Sequence, residues 1–287
     1  IILTLAVGII FYFQFKKLSI NQLNDFKIHH YFSLALLLVL TFPNYFLEYK
    51  KWEYILQSLK ISADKSIKIQ SFFAGIITGM LTPNMQGNFI GRIYYFQRRY
   101  RISIVLLTLT ANLGQFIATI VLGVFGLVLS SKIVASNLLF FPLFITLISL
   151  LFYFNYEKIQ FFSKQFKWYK RIAKVLQTNA RFRLQILLLS LLRHLVFALQ
   201  LLLAFHAFGE PMTWHLFWLI WLFYLWTTLS PSLFLGKLFI RESIALLVFT
   251  GLSISPTSIV MVSLTVWVFN LFLPTLIGLI ICKKKQK

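Results

Sequence analysis

Two short stretches of the chain repeat the same order of proline, glycine and arginine, with the arginine five residues after the glycine in both copies. Proline ends a helix and glycine lets the backbone reverse, so a new helix can begin within an apolar region. The N-terminus of such a helix attracts anions, and an arginine one turn later offers a planar fork that matches phosphate. The members are Thr82, Pro83, Gly87 and Arg92 in the first copy, and Ser230, Pro231, Gly236 and Arg241 in the second.

Further polar residues accompany these two turns. Asn88 directly follows Gly87, and Glu242 directly follows Arg241. Arg193 lies in the middle of a long apolar run, where a charge is costly and usually functional. We expect Arg193 to contact phosphate as well, with Glu242 or Glu48 as alternative ion-pair partners. Two other interpretations stay open: a purely structural ion pair at Arg193, and a position at the membrane surface for the arginines of the repeat.

The sequence contains little that could support enzymatic chemistry. Its five histidines show no metal-binding spacing, no G-x-S-x-G nucleophile elbow occurs, and the single cysteine is Cys282. There are only seven acidic residues, and four fall in predicted loops: Asp25, Asp64, Glu157 and Glu210. We therefore expect no catalytic residue, no cofactor and no metal. An integral-membrane transferase acting on a polyprenyl phosphate or a phospholipid remains the alternative.

Composition defines the class of protein that must position these residues. Apolar side chains make up 59% of the 287 residues, charged side chains only 12%, and the mean hydropathy is +0.80. Soluble domains are about 45–50% apolar and about 25% charged. The 28 Lys and Arg against 7 Asp and Glu give a net charge of +21, but the basic residues lie between apolar runs, as in membrane proteins. We expect an all-α polytopic membrane protein that binds no nucleic acid.

About seven apolar runs are candidates for membrane-spanning helices, since about 20 apolar residues cross a bilayer. Ile1–Phe15 is interpreted as the remainder of a longer first helix, with a signal-peptide core as the alternative. Tyr31–Leu47 is shorter and contains Pro43. The other candidates are Ile102–Leu129, Ile133–Phe154, Leu184–Phe208, Met212–Leu229 and Thr257–Cys282.

Two runs beside the repeated turns, Ser71–Leu81 and Leu238–Leu252, are too short to span and predict re-entrant or broken helices. Interrupted helices in corresponding positions of two halves are typical of repeat-built transporters. The pseudo-repeat halves are approximately 31–130 and 184–282, joined by a basic interfacial segment, 155–183, within one membrane domain. This segment carries eight Lys and Arg, whereas residues 209–213 carry none, so the segment and the C-terminus are predicted to be cytoplasmic.

The first turn also resembles a known family. Thr82-Pro83-Asn84-Met85-Gln86-Gly87-Asn88, leading to Arg92, resembles the Pro…Gly-Glu…Arg signature of the lysylphosphatidylglycerol synthase/flippase transmembrane family. The preceding Tyr49-Lys50-Lys51-Trp52 is similar to that family's basic-Trp element, and Pro231…Gly236…Arg241-Glu242 is similar to its second element. That family includes the membrane half of the bacterial multiple peptide resistance factor. The resemblance extends from about Tyr31 to the end of the chain.

The resemblance implies a bacterial inner-membrane protein that moves a lipid or a lipid-linked headgroup between leaflets. Its central site would contain Pro83, Gly87, Arg92, Pro231, Gly236 and Arg241. Asn88 stands where the family usually has an acid, which favours an anionic headgroup over a cationic one. No aminoacyl-transfer domain is recognised, so we do not expect the chain to make lysylphosphatidylglycerol. The expected partners are membrane lipids, with an oligomer also open, and a non-transporting partner subunit is a further alternative.

Overall fold

The structure is a computed structural model that describes residues 27–80, 82, 87–130, 136–155, 175–230, 236–249, 251–252 and 254–283. Regular structure within these ranges is helical, without a strand. The elements are α1 (Tyr31–Ser58), α2 (Lys65–Met80), α3 (Asn88–Tyr94), α4 (Arg98–Ser130), α5 (Ser136–Asn155), α6 (Ala180–Ala207), α7 (Trp214–Leu229), α8 (Gly236–Phe249), α9 (Pro256–Trp267), a π-helix (Val268–Phe272) and α10 (Leu273–Lys283).

Within the described residues, four helices are long and apolar enough to cross a membrane: Tyr31–Ser58, Arg98–Ser130, Ala180–Ala207 and Pro256–Lys283, the last including the π-helix. Two shorter apolar helices, Leu143–Asn155 and Trp214–Leu229, accompany them in the described ranges. The prediction of an all-α polytopic membrane protein is confirmed at this level, while the count of about seven spans stays a prediction. Residues 1–26, which include the predicted Ile1–Phe15 helix, lie outside the described residues, as do 156–174 of the basic segment.

The first helix is longer than the sequence predicted, because it ends at Ser58 and not at Leu47. A left-handed residue, Lys60 with φ 53°, terminates it. The Lys60 N–H donates to Gln57 O at 2.9 Å, and the Ile61 N–H donates to Leu56 O at 3.0 Å. These two bonds form a Schellman motif, and the buried Ile61 and Leu56 supply the apolar contact that usually accompanies it.

The two runs predicted to be short helices do form short helices. Ser71–Leu81 corresponds to the end of α2, which starts earlier, at Lys65, and has 16 residues. Leu238–Leu252 corresponds to α8, Gly236–Phe249, with 14 residues. Their re-entrant or spanning character stays a prediction.

A π-helix interrupts the last long helix immediately before Pro274. Proline has no N–H to donate to the carbonyl four residues earlier, and its ring crowds that carbonyl. The chain accommodates Pro274 by widening one turn, in which the Leu273 N–H bonds to Val268 O. π-Turns occur frequently at functional sites, and this one contains Asn270.

The chain divides into two compact units. The first contains Ile1–Asn44, Leu122–Val134 and Leu195–Leu273, and the second contains Tyr45–Val121, Ala135–His194 and Pro274–Lys287. Phe205, Phe223 and Phe249 lie in the core of the first unit. Trp52 and Ile104 lie in a core of the second. The chain passes from one unit to the other within each of the four long helices, and the predicted pseudo-repeat halves stay a prediction.

Candidate functional site

Two threonine hydroxyls close the first proline–glycine turn in the second unit. The Thr82 hydroxyl accepts a hydrogen bond from the Gly87 N–H at 2.7 Å. The Thr78 hydroxyl lies 3.0 Å from Gly87 O and accepts from the Gly91 N–H at 3.0 Å. These bonds hold the end of α2 against the start of α3, while Pro83 lies outside the described residues.

Glycines at the α2–α3 contact let the two backbones meet. A Cβ atom on Gly91 would overlap the Ala74 carbonyl group. A Cβ atom on Gly75 would stand 2.8 Å from Asn88 O and 2.9 Å from two atoms of the Arg92 side chain. The Arg92 side chain therefore crosses α2 at a point where only a glycine leaves room for it.

Arg92 belongs to a buried ionic group that we call the Glu48 cluster: Glu48, Lys51, Arg92 and Arg193. Oε1 of Glu48 accepts from Arg92 Nη2 at 3.2 Å. Oε2 meets Arg193 Nη1 at 2.8 Å and Lys51 Nζ at 2.7 Å. Glu48 and Lys51 are three residues apart and so share one face of α1. The structure thus brings together Arg92 and Arg193, two of the residues that the sequence indicated, around a single carboxylate.

Polar side chains from α4 and α6 surround Lys51. Its ammonium group donates to Gln115 Oε1 at 3.1 Å and lies 3.5 Å from Ser190 Oγ. Gln115 also donates to the Ser190 carbonyl at 3.3 Å. Beside Arg92 on α3, Asn88 exchanges hydrogen bonds with Asn112 of α4 at 3.2 Å. Asn112 and Gln115 of α4 thus join this helix to α3, α1 and α6.

Arg92 is 2% exposed and lies against aromatic rings. Its guanidinium carbon is 4.9 Å from the centre of the Trp52 ring and 5.9 Å from that of Phe72, both within cation–π range. Its Nε–H has no hydrogen-bond partner among the described residues. Protein therefore encloses the Arg92 side chain, while a position at the membrane surface stays an open interpretation.

The charges of the Glu48 cluster do not balance. Three cations face one carboxylate, which leaves two positive charges in excess among these four side chains. The other acids described in the second unit are Glu53, which pairs with Lys50 at 2.8 Å, and Asp64, in the loop between α1 and α2. Buried charges are costly unless an opposite charge compensates them. The cluster has the composition of an anion-binding site.

The second turn lies in the first unit. Gly236 is the first residue of α8, and Pro231 lies outside the described residues. Arg241 is half-buried, and its Nη2 donates to Ser263 O of α9 at 2.8 Å. Glu242 is 3% exposed. Each unit thus carries one arginine of the repeat, and a joint role of Arg92 and Arg241 stays a prediction.

Other polar residues at depth join helices. Gln200 of α6 and Asn270 of the π-helix exchange hydrogen bonds at 3.0 and 2.7 Å, and Asn44 of α1 donates to Asn270 at 3.0 Å. His194 lies 3.2 Å from the Thr119 hydroxyl. Within the described ranges, His, Cys, Asp and Glu side chains form no group of three that could hold a metal ion.

Lys51 was not predicted as a site residue, and Glu48 was considered only as one of two partners for Arg193. The sequence does contain a pattern that could indicate them, because Glu48 and Lys51 are three residues apart in one apolar helix and Lys51 directly precedes Trp52. The link to Arg193, however, joins residues 145 positions apart. Local spacing cannot reveal such a contact.

These features define a helical membrane protein with a buried cationic cluster beside a proline–glycine turn. The family described as "Lysylphosphatidylglycerol synthase TM region" matches residues 1–278, so the chain belongs to this family. The resemblance seen in the sequence is therefore confirmed. Family membership indicates a membrane function connected with lipids. Comparison with curated proteins and with solved structures gives no significant match.

Proposed function

We propose that this protein moves an anionic lipid between the leaflets of the bacterial inner membrane, with the lipid phosphate bound at the Glu48 cluster. The observation that carries the proposal is the meeting of three cations, Lys51, Arg92 and Arg193, on the single carboxylate of Glu48. The family's connection with membrane lipids supports it.

The chemistry of the cluster favours phosphate over other headgroup elements. Guanidinium groups bind phosphate oxygens through two parallel N–H donors, and a lysine adds a point charge. Arg92, Arg193 and Lys51 together provide both kinds of donor. A cationic aminoacyl headgroup would instead meet three like charges. The Asn88–Asn112 pair beside them carries no charge to balance such a headgroup.

Translocation would follow the alternating-access scheme of repeat-built carriers. The acyl or prenyl tails would stay in the bilayer while the headgroup occupies the polar site at the Glu48 cluster. Arg241 of the second turn is proposed as a separate phosphate donor within the first unit. Aromatic contacts from Trp52 and Phe72 would keep Arg92 in place when the phosphate arrives or leaves. We propose a cytoplasmic C-terminus, in agreement with the distribution of basic residues.

The proposal is tested by reconstitution into liposomes that contain fluorescent phospholipids with anionic, zwitterionic or cationic headgroups. A membrane-impermeant quencher reports which leaflet holds the label. The wild type should move the anionic lipid fastest. Arg92→Gln and Arg193→Gln should slow it roughly tenfold or more, since a charge-assisted contact is worth about 1.5–3 kcal/mol.

Two controls separate the site from general damage. Arg183 is a buried arginine on the same helix as Arg193, but its guanidinium donates to the Phe154 and Thr178 carbonyls. Arg99 is exposed and lies over Tyr100. After normalisation to folded protein, Arg183→Gln and Arg99→Gln should retain translocation. Equal rates in all variants would refute the site, and release of a chemically altered lipid would instead indicate the transferase.

A further inference from the structure

Four buried polar atoms without a hydrogen-bond partner belong to side chains of α8 and α9, in the first unit. Both carboxyl oxygens of Glu242 and the hydroxyls of Ser243 and Ser263 have no such partner among the described residues. Glu242 is 3% exposed, and each serine is 1% exposed. The indole Nε1–H of Trp221 on α7 is also buried and has no hydrogen-bond partner among the described residues. Buried polar groups are nearly always bonded, so this group of atoms requires an explanation.

Among the described residues, Arg241 is the charged group that acts on Glu242. Arg241, its neighbour on α8, exerts an attraction on the carboxyl group, but its hydrogen bond goes to the Ser263 carbonyl. The Ser263 hydroxyl is close enough to the carboxyl group to interact with it, but the contact does not complete a hydrogen bond for either side chain. Tyr224 of α7 is an ionisable residue close enough to Arg241 for an electrostatic interaction. Its hydroxyl group donates to Phe197 O. Helix α9 contains no ionisable side chain.

A negative charge on Glu242 would be poorly compensated in these surroundings. An ionised carboxylate without hydrogen-bond donors is among the costliest groups to bury, whereas a neutral carboxyl group costs far less. A sodium ion would neutralise the charge too, but it would lie next to the Arg241 cation. A proton removes the negative charge without adding a second cation.

We propose that Glu242 binds and releases a proton, and that this event drives the protein between its conformations. Ionisable residues placed at depth in membrane proteins commonly serve as proton relays. As a coupling mechanism the inference rests on the proposed lipid translocation, but proton binding at Glu242 itself does not.

The hydrogen bond from Arg241 to the Ser263 carbonyl would link proton binding at Glu242 to a conformational change, because this bond joins α8 to α9. When Glu242 loses its proton, a new negative charge appears one residue away from Arg241. Arg241 must then divide its attraction between the carboxylate and the Ser263 carbonyl, and the carboxylate must find donors. Deprotonation therefore favours a different packing of α8 on α9, in which Ser243 and Ser263 or water can donate to the carboxylate.

Infrared difference spectroscopy of the reconstituted full chain, between about pH 6 and about pH 10, tests proton binding directly, because ordinary exposed carboxyl groups are already ionised at the lower pH. The wild type should show a protonated-carboxyl C=O band that disappears on alkalinisation. Glu242→Gln should remove this band, and Glu242→Asp should retain it at a shifted position. Glu53→Gln, at an ion pair with Lys50, should leave it unchanged. Absence of the band from the wild type, or its persistence in Glu242→Gln, would overturn the proposal.

Coupling is measured in liposomes as the lipid translocation rate at different internal pH. The wild-type rate should change with pH by up to about tenfold per pH unit, the limit for one proton, whereas Glu242→Gln should be independent of pH. A wild-type rate that follows sodium at constant pH would overturn the choice of the proton. If no lipid moves in any variant, the proposed function fails while the infrared result still decides on the proton site.

Discussion

The two carboxylate oxygens of Glu48 contact three cations. Removing the Glu48 charge should therefore destabilise the fold more than removing any one of the three cations. Glu48→Gln would remove the carboxylate that Lys51, Arg92 and Arg193 share. Removing one partner of a buried ionic group costs about 3–5 kcal/mol. We expect Glu48→Gln to lower the unfolding temperature in detergent strongly, as measured by intrinsic fluorescence.

Glu53→Gln is the matched control, because Glu53 lies on the same helix and forms a partly exposed pair with Lys50 at 2.8 Å. Such surface pairs contribute about 0–1 kcal/mol. The variant should therefore unfold close to the wild-type temperature. If both variants show the same small change, the Glu48 cluster does not depend on its carboxylate.

The sequence indicated the residue types of the site better than their contacts. Arg92 and Arg193 could be selected because charges are rare in long apolar runs. The meeting of both on Glu48 depends on the packing of α1, α3 and α6, which no local pattern encodes. The bond from Arg241 to the Ser263 carbonyl was equally invisible, since a backbone acceptor has no signature in the sequence.

Helices α2 and α3 lie so close together that a side chain at Gly91 should prevent their packing. Gly91→Ala would push a methyl group into the Ala74 carbonyl, and the backbone on both sides cannot yield. We expect loss of folded protein in size-exclusion chromatography. Gly251→Ala is the control, because nothing lies within 4 Å of a Cβ there, and it should elute like the wild type.

The end of α1 offers a stabilising change. Lys60 adopts φ 53°, a left-handed conformation that costs a residue with a Cβ about 1–2 kcal/mol. Glycine has no such penalty, and it is the usual residue at this position of a Schellman motif. Lys60→Gly should therefore raise the unfolding temperature by a few degrees. A decrease would mean that the Lys60 side chain makes a stabilising contact that outweighs its backbone strain.

This helix end also explains an error of the sequence prediction. Hydropathy ended the first described helix at Leu47, because charged residues follow. In the structure these residues continue the helix: Lys51 and Glu48 satisfy each other inside, and Lys50 and Glu53 do so nearer the surface. Pairing within one helix allows charge to persist where hydropathy alone predicts a loop.

The distribution of basic residues along the chain predicts its orientation in the membrane. With Cys282→Ser as background, Asp64→Cys, in the loop between α1 and α2, should react with an impermeant thiol reagent only from the cytoplasm. Met212→Cys, between α6 and α7, should react only from outside. Both positions are exposed. Labelling of Asp64→Cys from outside would mean that Ser71–Leu81 crosses the membrane.

The interlocking of α2 and α3 through Gly75, Gly91 and the Thr78 hydroxyl limits how Arg92 can move. Helices joined backbone to backbone cannot slide or rotate past each other without breaking that contact. The two helices therefore move as one rigid unit, and a displacement of Arg92 must be accompanied by a displacement of α2. The hinge of such a motion would fall at the ends of this pair, in the α1–α2 loop and at residues 95–97. Family members that retain this rigid contact between α2 and α3 should keep small residues at the positions of Gly75 and Gly91 while the rest of the sequence diverges.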